Sequence, residues 1–283
     1  MLSKIIIDEA VNRALLEDAP WGDATSESLI PADSAATASL VARDGGVMAG
    51  GEVFAAAFKL VDPSVEVNLL ISDGDTFTPG QTLATISGPA RAVLTGERVG
   101  LNFVQRMAGI ATHTAKYVAA VAGTGAKIVD TRKTTPGLRP FEKHAVRCGG
   151  GHNHRYSLSD AVMAKDNHLA ILTRGGKDLT TELKRVKSEL GHTTHLEVEV
   201  DRVDQIPAVL AAGVDTIMLD NFSLDDLRAG VALIAGKCLI EASGGVNLNT
   251  VRAIAETGVD VISVGALTHQ IHSLDLGLDI QID

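Results

Sequence analysis

At 283 residues, with 45% apolar residues and a formal net charge of −10, the chain can fill a sizeable core and offers little attraction to nucleic acid. It contains no run of eighteen apolar residues, and MLSKIIIDEAVNRALLEDAP mixes acids among its apolar positions, so neither a membrane span nor a secretory signal is expected and the cytoplasm is the expected location. Cys148 and Cys238 lie 90 positions apart without metal-ligand spacing, which argues against both a disulfide framework and a zinc site.

Taken in chain order, a first helix covers roughly residues 3–17. TASLVAR, VEVNLLI and TLATISG then read as strands separated by the turn signals DGD and TPG, an α+β sandwich domain over residues 1–112. From Arg91 to Val121 helical spacing returns. Phe103, Met107, Ile110, Tyr117 and Val121 form its buried stripe, with Arg98, Asn102 and Gln105 on the other face.

Beyond Gly125 the pattern becomes periodic. Gly191, Gly213, Gly236 and Gly258 recur at intervals of 22, 23 and 22 residues, each after a helix-like run and before a short apolar one, as helix C-cap glycines do. The strands are AKIVD, AVMAK, HLEVEV, DTIMLD, CLIEA and DVISV. Such alternation over residues 113–270 implies βαβ units and an incomplete parallel α/β barrel of about six strands, with a flat doubly wound sheet as the competing closure. The tail, residues 271–283, alternates as a last strand that can rejoin the first domain.

In parallel barrels, chemistry sits at the C-terminal ends of strands. Seven or eight residues past successive glycines come Arg132, Glu199, Asp220, Ser243 and Gly265, while Lys165 closes AVMAK. Between Arg132 and Lys165 there are seven Lys or Arg, three His and two acids, reversing the sign of the whole chain. Cations gathered at one mouth require anions to join them, and arginine suits carboxylates and phosphates. Glu199 and Asp220 offer oxygen ligands suited to Mg²⁺, and the glycines of SGG and SVGA allow backbone N–H groups close to a phosphate. A phosphorylated sugar and a carboxylated partner are the expected ligands.

The stretch DTRKTTPGLRPFEKHAVRCGGGHNHRYSLSDAVMAKDNHL closely resembles the signature of the quinolinate phosphoribosyltransferases. The likeness continues through EDAPWGDATS, GERVGLNFVQRMAGIAT, LEVEV, MLDNF, EASGGVNL and VGALTH. The resemblance implies a decarboxylating pentosyltransferase that makes nicotinate mononucleotide, pyrophosphate and CO₂ from quinolinate and phosphoribosyl pyrophosphate. It further implies that Arg132, His154, Arg155 and Lys165 hold the quinolinate carboxylates and that Lys133 lies between the substrates. Glu199 and Asp220 would face the ribose hydroxyls and Mg²⁺; Ser243, Gly244, Gly245, Gly265 and His269 would hold phosphates. Arg98 would reach the neighbouring subunit's site in a homodimer or larger assembly. Ser157 and Ala164 depart from the usual family pattern without removing a needed charge.

Blander readings apply elsewhere. Arg139, Lys143 and Arg147 read as solvated charges, His144, His152 and His168 as structural hydrogen bonders, and Cys148 as inert. Glu199 is preferred to Glu197 because it lies nearer the strand end. Two alternatives stand beside this reading: a paralogous transferase of the same architecture acting on another aromatic or pyridine carboxylate, against which TRKTTPGLR, HNHR and KDNH favour quinolinate, and a biotinyl or lipoyl carrier module suggested by DGDTFTPGQTLATISG, whose turn holds no lysine.

Overall fold

A computed structural model describes residues 2–282. In chain order the elements are α1 (Lys4–Asp18), α2 (Ala24–Leu29), β1 (Ala35–Ala42), β2 (Gly46–Val47), α3 (Gly51–Lys59), β3 (Glu66–Leu69), β4 (Thr76–Phe77), β5 (Thr82–Pro89), α4 (Ala90–Ala120), β6 (Lys127–Val129), α5 (Arg139–Cys148) and β7 (Val162–Ala164). They continue with α6 (Asp166–Leu172), α7 (Leu179–Glu189), β8 (Leu196–Val200), α8 (Ile206–Ala211), β9 (Thr216–Asp220), α9 (Leu224–Ile234), β10 (Leu239–Ser243), α10 (Val251–Ala255), β11 (Val261–Ser263), α11 (Ala266–His269) and β12 (Leu276–Ile282). They form two compact units, one of residues 1–115, 134–150 and 270–283, the other of residues 116–133 and 151–269. The segment 134–150, which the sequence division at 112 leaves with the barrel, groups with the first unit.

The first unit is built on an antiparallel sheet in the order β12-β1-β5-β3. Ala36, Ala38, Leu40 and Ala42 alternate into the core from β1, as a sheet with one covered face requires. Phe54 and Phe58 of α3 meet edge to face at 5.0 Å and are fully buried with Leu83, Ile86 and Met107. Asp23 caps α2 by accepting from the Thr25 and Ser26 backbone N–H groups. The tail strand pairs antiparallel with β1, from Ala36 opposite Ile282 to Ala42 opposite Leu276.

Two readings of this unit need correction. Gln105, placed on a polar face, instead donates through Nε2 to the Leu276 carbonyl at 2.7 Å and ties the tail strand to α4. Lys143, read as a solvated charge, is buried at 3% exposure.

The second unit is a six-stranded parallel sheet in the order β6-β11-β10-β9-β8-β7. From β7 to β11 neighbours in sequence are neighbours in space, and β6 joins beyond β11. Among the described residues the order never reverses, so they form no topological switch point and the doubly wound alternative is excluded. The sheet is an incomplete α/β barrel, open between β6 and β7. Gly213, Gly236 and Gly258 adopt φ of 74°, 73° and 94°, the left-handed geometry that ends a helix before the next strand. Gly191 does not share it: α7 stops at Glu189, and the extended Leu190 follows as its cap.

Candidate active site

Residues two apart on a strand share a face. On β8, β9 and β10 one face carries Leu196, Val198, Val200, Ile217, Leu219, Ile240 and Ala242, all buried. The other carries Glu197 and Glu199, Met218 and Asp220, and Glu241 and Ser243. Parallel register sets Glu199 beside Met218 and Ser243 beside Asp220. A cleft of about 600 Å³ opens over that second face. It is lined by Arg132, Lys133, His154, Arg155, Lys165, Glu199, Asp220, Ser243, Gly244 and Gly245, with Thr131, Met163, Met218, Asn221, Glu241 and Ser263 completing the wall.

The two basic motifs are held together by an aspartate that the sequence reading passed over. Asp130, immediately after β6, has no exposed surface. Its carboxylate accepts from Asn153 Nδ2 at 2.7 Å and from the His154 backbone N–H at 2.8 Å. The His152 N–H donates to the Ile128 carbonyl at 2.8 Å, and the Asp130 N–H to the His152 carbonyl at 3.1 Å. DTRK and HNHR are therefore locked side by side at the open edge of the sheet.

Positive charge accumulates from there. The Arg155 guanidinium donates to the Ala161 carbonyl at 2.9 Å. Partial burial and repulsion from Arg132 pull its pKa below the usual arginine value, so the two guanidinium groups share one field. Lys165 pairs with Glu199 across β7 and β8. The Lys165 backbone N–H donates to His168 Nδ1 at 3.0 Å, which gives His168 a structural role.

His154 is held by both ring nitrogens. Nε2 lies 3.1 Å from Glu197 and 3.4 Å from Glu241, while Nδ1 accepts from the Arg155 N–H at 2.7 Å. Burial opposes a charge on this ring, but the two carboxylates outweigh it and hold His154 up to about 9. Protonation would turn Nδ1 from acceptor to donor, so the contact with the Arg155 N–H opposes it and opens when it occurs. Glu197 and Glu241 are 4% and 3% exposed, and burial raises the pKa of Glu197. Glu197 thus supports the site from beneath, whereas Glu199 reaches the cleft.

On the far side, glycines permit close approach. Gly244 has φ of +91°, and a Cβ there would lie 2.1 Å from Asn221 Oδ1. The Asn221 N–H donates to the Ser243 carbonyl at 2.9 Å, and its side-chain amide donates to Asp220 at 2.7 Å. Gly265 does not line the cleft, but a Cβ on it would meet Lys133 Cδ at 3.0 Å, and the Thr268 hydroxyl donates to the Lys133 carbonyl. His269 is exposed on α11, and Arg98 is exposed on α4 of the first unit; neither lines the cleft. Glu241 and Asp130 are polar residues that sequence reasoning missed, and Glu197, weighed there only as a weaker rival of Glu199, is the second partner of His154. Each acid of the pair sits two positions before a predicted residue, Glu199 or Ser243, and that spacing was the available signal.

Comparison with known proteins gives the architecture a family. Residues 23–108 match the N-terminal domain of quinolinate phosphoribosyl transferase, and residues 110–279 match its C-terminal domain. The chain is 42% identical to a nicotinate-nucleotide pyrophosphorylase (carboxylating) of Mycobacterium leprae, covering 99% of this chain and 100% of the relative. It is 40% identical to a mitochondrial quinolinate phosphoribosyltransferase (decarboxylating) of Nicotiana glauca, covering 98% and 83%. The crystal structure of NadC from Streptococcus pyogenes superposes with a TM-score of 0.94 at 40% identity, over 100% of this chain and 99% of that one. The two domain matches leave no room for a separate carrier module at DGDTFTPGQTLATISG, and the chain belongs to the quinolinate phosphoribosyl transferase family.

Proposed function

We propose that the chain joins the ring nitrogen of quinolinate to the ribose of phosphoribosyl pyrophosphate and releases pyrophosphate and CO₂, giving nicotinate mononucleotide for NAD biosynthesis. The carboxylating and decarboxylating names of its relatives describe one reaction read in opposite directions. The observation that carries this reading is the convergence of Arg132, Arg155 and Lys165 on one cleft, where Arg132 and Arg155 already repel each other. A dianionic pyridine relieves that repulsion, and clamping both carboxylates fixes the ring nitrogen for attack.

Each step then has a residue. Lys133, held against Gly265, lies between the two substrates. As pyrophosphate departs, positive charge grows at the anomeric carbon, and Glu199 and Asp220 stabilise it. Ser243, Gly244 and Gly245 face the phosphates with backbone N–H groups, assisted by Gly265 just before α11 and by His269 at its end. Alkylation leaves the ring nitrogen positive; the bond to the adjacent carboxylate breaks, its electron pair stays on the ring, and a proton from solvent takes its place. Protonation of His154 frees a second N–H for an anion in the cleft.

Glu199 and Asp220 are hard oxygen donors on one wall, paired so far with Lys165 and Asn221. Two carboxylates fall short of a closed protein cage, which suits Mg²⁺, an ion that keeps water and phosphate among its ligands. When bound, Mg²⁺ would neutralise charge on the departing pyrophosphate oxygens. The same reading carries Arg98 of the partner subunit into each site, so the active form is a homodimer or larger assembly in the cytoplasm.

The test supplies quinolinate, phosphoribosyl pyrophosphate and Mg²⁺ and follows CO₂ and mononucleotide, with nicotinate in parallel. Product from quinolinate alone is expected, and turnover of nicotinate would overturn the specificity. Mixing inactive Arg98→Ala and Arg132→Ala chains should restore activity; no restoration would remove Arg98 from a shared site.

A further inference from the structure

One cluster of chemically capable side chains takes no part in the cleft. Asp73 lies in the turn between β3 and β4, and His144 and Cys148 sit four residues apart on α5, so they share a helix face. His144 Nε2 is 2.7 Å from Asp73 Oδ2 and 3.4 Å from Cys148 Sγ, and that sulfur is 4.0 Å from the same oxygen. All three atoms are donors to a cation.

The arrangement superficially suggests an activated thiol, but its geometry opposes one. In a nucleophile–base–acid relay the acid orients one ring nitrogen and the nucleophile faces the other. Here acid and thiol crowd onto a single nitrogen. Burial and the Asp73 charge also push the Cys148 thiol up to about 12, the opposite of what a nucleophile requires.

Convergence on one point is instead how ligands meet a metal. Tetrahedral zinc with ordinary ligand distances separates nitrogen from sulfur by ~3.5 Å, nitrogen from oxygen by ~3.4 Å and sulfur from oxygen by ~3.6 Å. The observed triangle differs from this by ~0.7 Å at most, mainly in the short nitrogen–oxygen edge that an entering ion would open. Sulfur, imidazole and one carboxylate form a borderline-soft set that selects zinc over magnesium or calcium.

The support around the ligands is in place. Asp73 uses its other oxygen to accept from the Gly51 N–H at 3.1 Å, which orients the ligating oxygen as outer-shell partners do. The His144 and Asp73 side chains are 18% and 26% exposed, sheltered yet reachable from solvent.

We propose that Asp73, His144 and Cys148 form a zinc-binding site with one open coordination position, separate from the residues that line the cleft. Zinc displaces the Cys148 thiol proton to solvent and ties the β3–β4 turn to the end of α5. Cysteine spacing does not reveal it, because a lone thiol joins a histidine on its own helix and an aspartate 75 residues earlier.

Cobalt substitution tests the site without any substrate, so its outcome is independent of the proposed reaction. The full-length metal-free protein, titrated with Co²⁺, should bind one equivalent with tetrahedral visible absorption and a near-ultraviolet thiolate-to-cobalt charge-transfer band. Zn²⁺ should then bleach both. Cys148→Ser should abolish the charge-transfer band, and Cys238→Ser should leave it intact. His144→Gln, checked for folding by circular dichroism, should weaken Zn²⁺ binding at least ~10-fold, which covers the case of a Cys148→Ser chain that fails to fold. A six-coordinate cobalt spectrum, a spectrum lacking charge transfer, or a band that survives loss of Cys148 would overturn the proposal.

Discussion

Removing the Asp130 carboxylate tests whether the basic motifs are held in place from beneath. Asp130 is wholly buried and accepts from Asn153 Nδ2 and the His154 N–H at 2.7 and 2.8 Å. Hydrogen bonds to a charged group contribute about 1.5–3 kcal/mol each, or about 3–6 kcal/mol for the pair. Freeing the protein from a buried carboxylate offsets part of that loss. Asp130→Ala should therefore lose about 2–4 kcal/mol. Asp130→Asn keeps one accepting oxygen but turns an amide toward a donor, and should lose about half as much. Urea unfolding followed by far-ultraviolet circular dichroism reads both values. At concentrations where Asp130→Ala remains folded, turnover should fall about 100-fold, because His154 and Arg155 lose their anchor and small displacements of positioning groups are costly. Both variants unfolding within about 0.5 kcal/mol of the wild type would refute the lock.

Three further outcomes are expected. Gly244→Ala forces a side chain into left-handed backbone and against Asn221, so steady-state kinetics should show a raised KM for phosphoribosyl pyrophosphate and a nearly unchanged KM for quinolinate; equal rises would remove Gly244 from the phosphate side. Glu241→Gln removes one of the two carboxylates that hold His154 at about 9, so the ring's midpoint, read by NMR, should fall toward ~6.5. A raised folded-state pKa contributes stability that is full below ~6.5 and lost as pH rises through about 9, so the loss of wild-type stability across that window should flatten in the variant. Asp23→Ala removes the cap of α2 and should cost about 1 kcal/mol at neutral pH; because the Ser26 hydrogen bonds hold the Asp23 carboxyl low, that contribution should vanish as pH falls through the folded-state value, and equal stabilities at pH 7 would count against it.

The barrel was legible because its signals are local. A glycine that ends a helix and the short apolar run after it are written in consecutive residues before β9, β10 and β11, so those strands and the residues at their ends could be read directly. The exception, Gly191, sits in the longer connection after α7, where the chain turns without left-handed backbone. What remained hidden depends on long-range pairing. An acid such as Glu197 looks like a poor core residue until His154, 43 positions earlier, supplies its partner. Asp130 reads as the lead-in to a basic motif until the HNHR segment folds back onto it. Lys143 is buried although its neighbours in sequence suggest a solvated helix face.

The return of β12 to β1 bears on how the chain folds. One edge of β1 is covered early by β5, but its other edge waits for a partner that emerges only after all six parallel strands have been made. During synthesis that edge offers a row of unpaired backbone groups to any extended segment nearby, a known route to aggregation. Removing residues 276–282 should therefore harm yield in cells more than it harms the chemistry of the cleft, and an extended peptide of that sequence supplied in trans is the natural rescue.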